Sequence, residues 1–145
     1  MQLTSPEFSH NGNIPAKFTC EGQDINPPLE IQDIPKGTKS LSLIMDDPDA
    51  PSKVWVHWVV CDMPIVYNIQ ENSIPGTQGI NDSGDIGYGS PCPPTGVHRY
   101  FFKLYALDVK LDLTEGLTKK DLEAAMEGHI LAKAELVGLY KRKGR

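Results

Sequence analysis

A run of acids and prolines leads directly into an apolar strand with a single histidine, and this junction constrains the fold more than any other stretch. The run covers residues 45–51 (MDDPDAP), and the strand pattern follows at residues 54–60 (VWVHWVV). Pro48 and Pro51 fix their own φ and bias the residue before each of them away from the helical region, so the carboxylates lie on a stiff turn. Burying such polar groups is costly unless they have partners. The junction therefore predicts a polar site.

Side chains alternate between the two faces of a strand, which predicts that Trp55, His57 and Val59 share one face of the strand at 54–60, while residues 54, 56, 58 and 60 share the other.

A second polar stretch has the same design as the first. Residues 87–100 (GYGSPCPPTGVHRY) likewise lead into an apolar strand pattern at 100–107. Two polar loops that each precede a buried strand predict one shared pocket.

The rest of the chain favours a mainly β domain. Residues 41–45 and 54–62 read as strands, and the short, turn-rich spacing between them favours antiparallel pairing; residues 66–70 form a further strand candidate. Residues 72–95 are nearly all turn formers, and a loop of that length is uncommon in a compact domain unless it is functional. Thr118 predicts the start of a helix, and Gly128 predicts its end. Residues 132–136 contain good helix formers, but their apolar and charged residues alternate, which favours a strand.

Composition restricts the class of protein. The 145 residues fit a single domain, 1–145, and the net charge of -5 argues against a nucleic-acid-binding face. No apolar run approaches the length of a membrane span, which predicts no stable membrane insertion, and no signal-peptide pattern occurs at the start, which predicts a cytoplasmic protein. Cys20, Cys61 and Cys92 are odd in number and widely spaced, so reduced thiols are expected.

The polar residues of the predicted pocket are suited to binding an anion. They are Asp47, Asp49, His57, Ser90, His98, Arg99 and Tyr100, with Trp55 and the prolines as walls. Two histidines that can be cationic, a tyrosine hydroxyl and the backbone N–H groups at Gly89 and Ser90 form a donor set for phosphate or carboxylate. An acid beside each histidine would fix its tautomer and raise its pKa, which would keep the positive charge near neutral pH.

Other interpretations use the same residues. Asp49 could simply cap its turn, His57 could be a core histidine, and Arg99 is expected to form a structural ion pair because it points to the strand face opposite His98. Asp47, Asp49, His57 and His98 could instead hold a metal that activates water, or His57 could act as a general base in a hydrolase. A purely structural or interaction domain is a third possibility, but it leaves two polar loops beside buried strands unexplained.

Four ordered motifs resemble the phosphatidylethanolamine-binding protein family, also called Raf kinase inhibitor proteins. They are DPDAP at 47–51, W-x-H-W at 55–58, GYGSP at 87–91 and G-x-HRY at 96–100. The short length, the PCPP insert and the GHILA segment at 128–132 resemble the bacterial and archaeal branch. The resemblance covers nearly the whole chain, and the four motifs together make it specific.

The resemblance implies a large antiparallel sheet packed against a smaller one, with one or two short helices and a small anion-binding cavity at one end. It also implies a non-enzymatic protein without a cofactor, metal or catalytic residue, whose partners are a small anionic ligand such as a phospholipid head group, a kinase or serine protease that it inhibits, and a second copy in a homodimer. By position, Asp47, His57 and Tyr100 match the family's ligand contacts, Trp55 and Pro91 its walls, and Asp49 and His98 its supporting acid and histidine.

Two features of the pocket loops follow from the same comparison. Pro51 matches a position that the family often holds in the cis form. Ser90 is a departure, because the family usually has glycine immediately before the proline of the pocket loop. The backbone approach to the anion is therefore expected to be altered, or supplemented by a hydroxyl.

Overall fold

Two β-sheets and one short α-helix make up the chain, and the computed structural model describes all 145 residues. The strands are β1 (Gln2–Thr4), β2 (Gly12–Asn13), β3 (Leu29–Gln32), β4 (Ser40–Asp47), β5 (Trp55–Met63), β6 (Asn68–Ile69), β7 (Thr77–Gln78), β8 (His98–Leu107) and β9 (Ile130–Tyr140). Helix α1 spans Lys119–Met126, and a single 3₁₀ turn spans Ala16–Phe18. The predicted mainly β fold is confirmed.

The large sheet has six strands in the order β2-β9-β8-β4-β5-β7, and the small sheet has three in the order β1-β3-β6. Every pairing is antiparallel except the short β2–β9 pair, which is parallel, so the expected large antiparallel sheet is mixed at one edge. The strand predicted at 66–70 shortens to β6, and the ambiguous last segment forms the long strand β9. Strand β9 pairs with β8 along its length.

Helix α1 begins and ends where its sequence predicts. The Thr118 side chain accepts a hydrogen bond from the Asp121 N–H, and the Asp121 carboxylate accepts one from the Thr118 N–H, which completes a capping box. After Met126 the chain turns at Gly128, whose φ of 81° lies in the left-handed region that glycine adopts without strain. The helix packs on the outer face of the large sheet through Leu122.

The main core lies between the two sheets and runs directly toward the predicted site. On β4, Leu41, Leu43 and Met45 face this core, and Asp47 continues the same period. On β8, Phe102 and Tyr100 face it, and His98 continues that period. Strand alternation therefore carries the two polar side chains onto the inner face of the large sheet, just past the end of the apolar core.

A bulge at His57 reverses the side-chain alternation of β5. Met45 pairs with Trp58 and Asp46 with Val56, so His57 is the extra residue. Trp58 consequently faces the core between the sheets, and Val59 faces the second cluster under α1. The predictions that Val59 shares a face with His57, and that Trp58 and Val60 share one with Val56, are wrong, because simple alternation does not take the bulge into account.

Candidate functional site

Three strand ends meet at one end of the large sheet and supply the site. Strand β4 ends at Asp47, β5 begins at Trp55, and β8 begins at His98. Because β4 is antiparallel to both neighbours, its last residues lie beside the first residues of β5 and β8. The two polar loops of the sequence therefore do share one pocket, as predicted.

The pocket is a cavity of about 310 Å³. It is lined by Asp47, Ala50, Pro51, Trp55, His57, Ser83, Ser90, Cys92, Pro93, Pro94, His98 and Tyr100. Six of the predicted site residues line it: Asp47, Trp55, His57, Ser90, His98 and Tyr100. Gly89 and Pro91 do not line it, but their carbonyl oxygens accept hydrogen bonds from His57 Nδ1 and from the Cys20 N–H. Asp49 and Arg99 lie outside the cavity.

His98 is fixed by a buried carboxylate. Its Nδ1 lies 2.6 Å from Asp47 Oδ2, and the two side chains are only 8% and 4% exposed. The other Asp47 oxygen accepts the backbone N–H of Asp49 at 2.7 Å. A carboxylate oxygen requires the proton on Nδ1, so the Nε2 atom of His98 is the one left for a ligand.

His57 is fixed by a backbone carbonyl and not by an acid. Its Nδ1 donates to the Gly89 carbonyl oxygen at 2.7 Å, and the Gly89 N–H donates back to the His57 carbonyl oxygen at 2.7 Å. A side chain at position 89 would crowd the Asn81 amide and this carbonyl, which explains the glycine. Burial lowers the pKa of His57, opposed by the Gly89 hydrogen bond and then by the Asp47 charge. The expectation of a raised pKa is therefore wrong for His57, whose Nε2 is a hydrogen-bond acceptor.

Tyr100 lies between the two histidines. Its ring meets His57 edge-on at 5.2 Å between centroids and stacks on His98 at 6.5 Å. Burial, and next the charge of Asp47, raises the pKa of Tyr100 well above its usual range, so the phenol keeps its proton. The hydroxyl forms no hydrogen bond within the protein, although the residue is only 1% exposed. It is therefore a donor free to bind a ligand.

Asp49 and Arg99 form an ion pair on the outside of the site. Arg99 donates from both Nε and Nη2 to the two Asp49 oxygens at 2.9 Å, and its backbone N–H also donates to Asp49 Oδ2. The Arg99 hydrogen bond holds the pKa of the Asp49 carboxyl below its usual value. The structural role expected for Arg99 is confirmed, and Asp49 ties the acid loop to β8.

The cavity wall contains a disulfide that the sequence did not predict. Cys20 and Cys92 are bonded with their Cα atoms 5.5 Å apart, while Cys61 is free and buried. The expectation of three reduced thiols is thus wrong, because partners 72 residues apart in sequence show no recognisable spacing. All peptide bonds are trans, so the cis form expected at Pro51 is not found.

Sequence reasoning also missed how neighbouring acids divide their roles. Asp46, next to Asp47, points to the opposite face of β4, where its Oδ2 contacts Lys119 at 2.8 Å and Lys103 at 3.1 Å. Ser83 was not expected in the cavity, but it follows Asp82, whose carboxylate binds the Val56 N–H at 2.7 Å. Strand alternation accounts for the opposite directions of Asp46 and Asp47, but no sequence pattern predicts that Ser83, in the loop at 72–95, lies in the cavity.

The donors of the proposed metal centre are not assembled. Asp49 is held by Arg99, and no group of three or more His, Cys, Asp or Glu side chains is arranged to hold a metal ion. The four-ligand arrangement considered from the sequence is therefore not found.

The buried neutral His57 predicts a pH dependence of stability. The pKa of His57 is lower in the folded state than in the unfolded chain, so the unfolded chain binds more protons below the ordinary histidine pKa of about 6.5. The free energy of unfolding therefore decreases as the pH falls, by at most about 1.4 kcal/mol per pH unit. This loss continues until the pH reaches the lowered pKa of the folded state. Urea unfolding at pH 7.5, 6.5 and 5.5 measures the slope, which we expect to flatten in His57→Gln. A slope that His57→Gln leaves unchanged would contradict the assignment.

The chain is similar in sequence to known proteins over nearly its whole length. The family model of phosphatidylethanolamine-binding protein matches residues 4–141. A protein of Methanothermobacter thermautotrophicus is 51% identical, with 98% of this chain and 99% of its own length covered. One of Chlamydia muridarum is 53% identical with the same coverage. The names of these two relatives describe no activity.

Solved structures agree in fold and in sequence. The crystal structure of a phosphatidylethanolamine-binding protein homologue from Chlamydia trachomatis superposes with a TM-score of 0.95 at 48% identity and covers 98% of this chain and 97% of its own. Escherichia coli YbcL, described as a member of the mammalian family, gives 0.90 at 30% identity, with 98% of each chain covered. No helix of the chain combines the length and apolarity needed to cross a membrane. By sequence and by fold, the chain belongs to the phosphatidylethanolamine-binding protein family.

Proposed function

We propose that the cavity binds a small oxyanion, either a carboxylate or a phosphate monoester of the kind that a phospholipid head group presents. The observation that carries this proposal is the hydroxyl of Tyr100, which bonds to no protein group and lines the cavity between two histidines whose Nδ1 atoms are already committed. Ser90 adds an N–H and a hydroxyl that likewise bond to no other protein group. Donors that no protein group satisfies are available to the oxygen atoms of an anion, and hydrogen bonds to charged groups are stronger than those between neutral groups.

The charge state of the cavity explains how an anion would bind. His57 is neutral when the site is empty, because burial lowers its pKa. A bound dianion favours the imidazolium, so His57 takes up a proton and becomes a second donor beside Tyr100. Binding is therefore coupled to proton uptake, and the affinity rises as the pH falls.

The size of the cavity limits the ligand. Its volume, about 310 Å³, lies at the small end of ligand pockets in proteins. Trp55, Pro51 and the prolines at 93 and 94 provide apolar walls around the polar floor. This combination suits a phosphate or carboxylate carrying a small organic group.

The test is a titration of the purified protein with phosphate, O-phosphorylethanolamine and sulfate, monitored by NMR of the His57 and His98 rings from pH 5 to 8. Both rings should shift together, and the affinity should rise by at most about tenfold for each unit that the pH falls, because one proton is taken up. Sulfate is a dianion throughout this range, so it separates titration of the protein from titration of the phosphate. No response of either ring to any of these three anions, or to acetate as a carboxylate probe, would refute the proposal.

The family resemblance carries further expectations that the cavity does not address. Inhibition of a kinase or a serine protease, pairing into a homodimer and a cytoplasmic location stay predictions. If the chain regulates another protein, the cavity lies where a ligand could modulate that contact, since its wall is an exposed loop.

A further inference from the structure

The disulfide of this chain is exposed and forms part of the ligand cavity. Both Cys20 and Cys92 are exposed, and Cys92 lines the cavity beside Pro93 and Pro94. Thiol–disulfide exchange requires that a thiolate reach a sulfur atom, so an exposed disulfide is open to reductants in a way that a buried one is not. This bond is therefore accessible and lies at the proposed binding site.

Few other contacts hold the tip of this loop. The base is fixed by the mutual hydrogen bonds of Gly89 and His57, and the Cys20 N–H donates to the Pro91 carbonyl oxygen at 3.1 Å. Residues 92–97 contain no helix or strand. The Arg142 guanidinium donates to the Pro93 carbonyl at 2.7 Å and weakly to that of Pro94 at 3.4 Å, and the Gly96 N–H donates weakly to the Arg145 carbonyl oxygen at 3.4 Å. The disulfide is the only covalent cross-link between this tip and the body of the protein.

We propose that the Cys20–Cys92 disulfide is a redox control of the anion site, and that its reduction weakens ligand binding. This inference rests on the proposed function. With the bond intact, the outer wall is held in its binding geometry before the ligand arrives, which reduces the entropy lost on binding. Once the bond is opened, the tip must be ordered by the ligand itself.

The chemistry requires a dithiol reductant. One of its thiolates attacks a sulfur of the disulfide and forms a mixed disulfide, and the second thiol then displaces the remaining protein thiolate. Two electrons and two protons pass from the reductant to Cys20 and Cys92, and the reductant leaves as its own disulfide.

The experiment compares the oxidised protein with the same protein reduced by dithiothreitol, using sulfate and O-phosphorylethanolamine as probes at constant pH. We expect the reduced form to bind about tenfold more weakly. Linkage then requires that a saturating probe lower the midpoint potential of the disulfide by about 30 mV, the equivalent of tenfold for a two-electron couple. Alkylation of thiols followed by mass spectrometry measures this potential.

Cysteine variants supply the controls. The double variant Cys20→Ser/Cys92→Ser should bind as weakly as the reduced protein and should no longer respond to dithiothreitol. Cys20→Ser alone is informative because Cys20 does not line the cavity, so any loss reports the tether and not a ligand contact. Cys61→Ser, at a buried free thiol, should keep the full redox response.

The outcomes separate the inference from the proposed function. Equal affinity of the oxidised and reduced forms would overturn redox control and leave the anion site standing. Absence of binding in both forms would overturn the two together. Free thiols at both positions in air-oxidised protein would also overturn the inference, whereas a tenfold difference that disappears in the double variant would establish it.

Discussion

Replacing Asp47 with alanine is expected to lower the free energy of unfolding by about 2–6 kcal/mol, or about 1–3 kcal/mol for each of two donors left without a partner, and to abolish anion binding. The carboxylate is 4% exposed and holds both His98 Nδ1 and the Asp49 N–H, so its loss leaves a buried histidine and a backbone donor without partners. His98 also loses the constraint that directs its Nε2 toward the cavity. Urea unfolding and sulfate titration measure the two effects.

Asp49→Ala is the matched control for this prediction. It removes the same charge from the same loop, but its partner Arg99 is half exposed, and such surface pairs contribute only about 0–1 kcal/mol. The backbone N–H of residue 49, which donates a hydrogen bond to the Asp47 carboxylate, is unchanged by this substitution. Equal losses of stability in the two variants would contradict the assignment of Asp47 as the buried anchor of the site.

Strand periodicity accounts for most of the fold that the sequence predicted. Leu43, Met45 and Asp47 share a face, and Tyr100 and Phe102 share theirs with His98, because a period of two is fixed by backbone geometry. The helix start at Thr118 was equally predictable, since its capping box is a local interaction. What depends on residues close together in sequence was correctly predicted.

What depends on distant residues was not predictable in the same way. The bulge at His57 arises where loop residues Asp82 and Gly89 bond to the backbone of β5, so alternation alone assigned Val59 to the wrong face. The Cys20–Cys92 bond joins segments that only the folded chain brings together.

The pKa of His57 shows the same limit for the site. An acid in the preceding loop suggested a charged imidazole, yet Asp47 bonds to His98, and His57 is left with the Gly89 carbonyl. Burial then dominates and favours the neutral ring. Residue types predicted which groups meet, but the partner of each group was decided by the geometry of the strands. The result is a cavity whose permanent donors are hydroxyl and N–H groups.

Tyr100→Phe is therefore expected to weaken anion binding by about 10- to 100-fold, the loss of one hydrogen bond to a charged group. The hydroxyl bonds to no protein atom, so its removal leaves no buried partner unsatisfied and should change the free energy of unfolding by less than about 0.5 kcal/mol. The ring remains and keeps its contacts with His57 and His98. Sulfate titration and urea unfolding of the same variant measure both quantities.

Tyr105→Phe is the matched control, because it removes the same hydroxyl from the same strand at a position that does not line the cavity. Its anion affinity should equal that of the unmodified protein. If Tyr100→Phe binds sulfate as tightly as Tyr105→Phe, the phenol is not a ligand donor, and the cavity must bind through its histidines and Ser90 alone. If Tyr100→Phe instead loses stability and keeps its anion affinity, the hydroxyl contributes to the stability of the fold and not to ligand binding. A selective loss of binding would separate the site from the fold, because the substitution removes a single atom that the folded chain does not otherwise use.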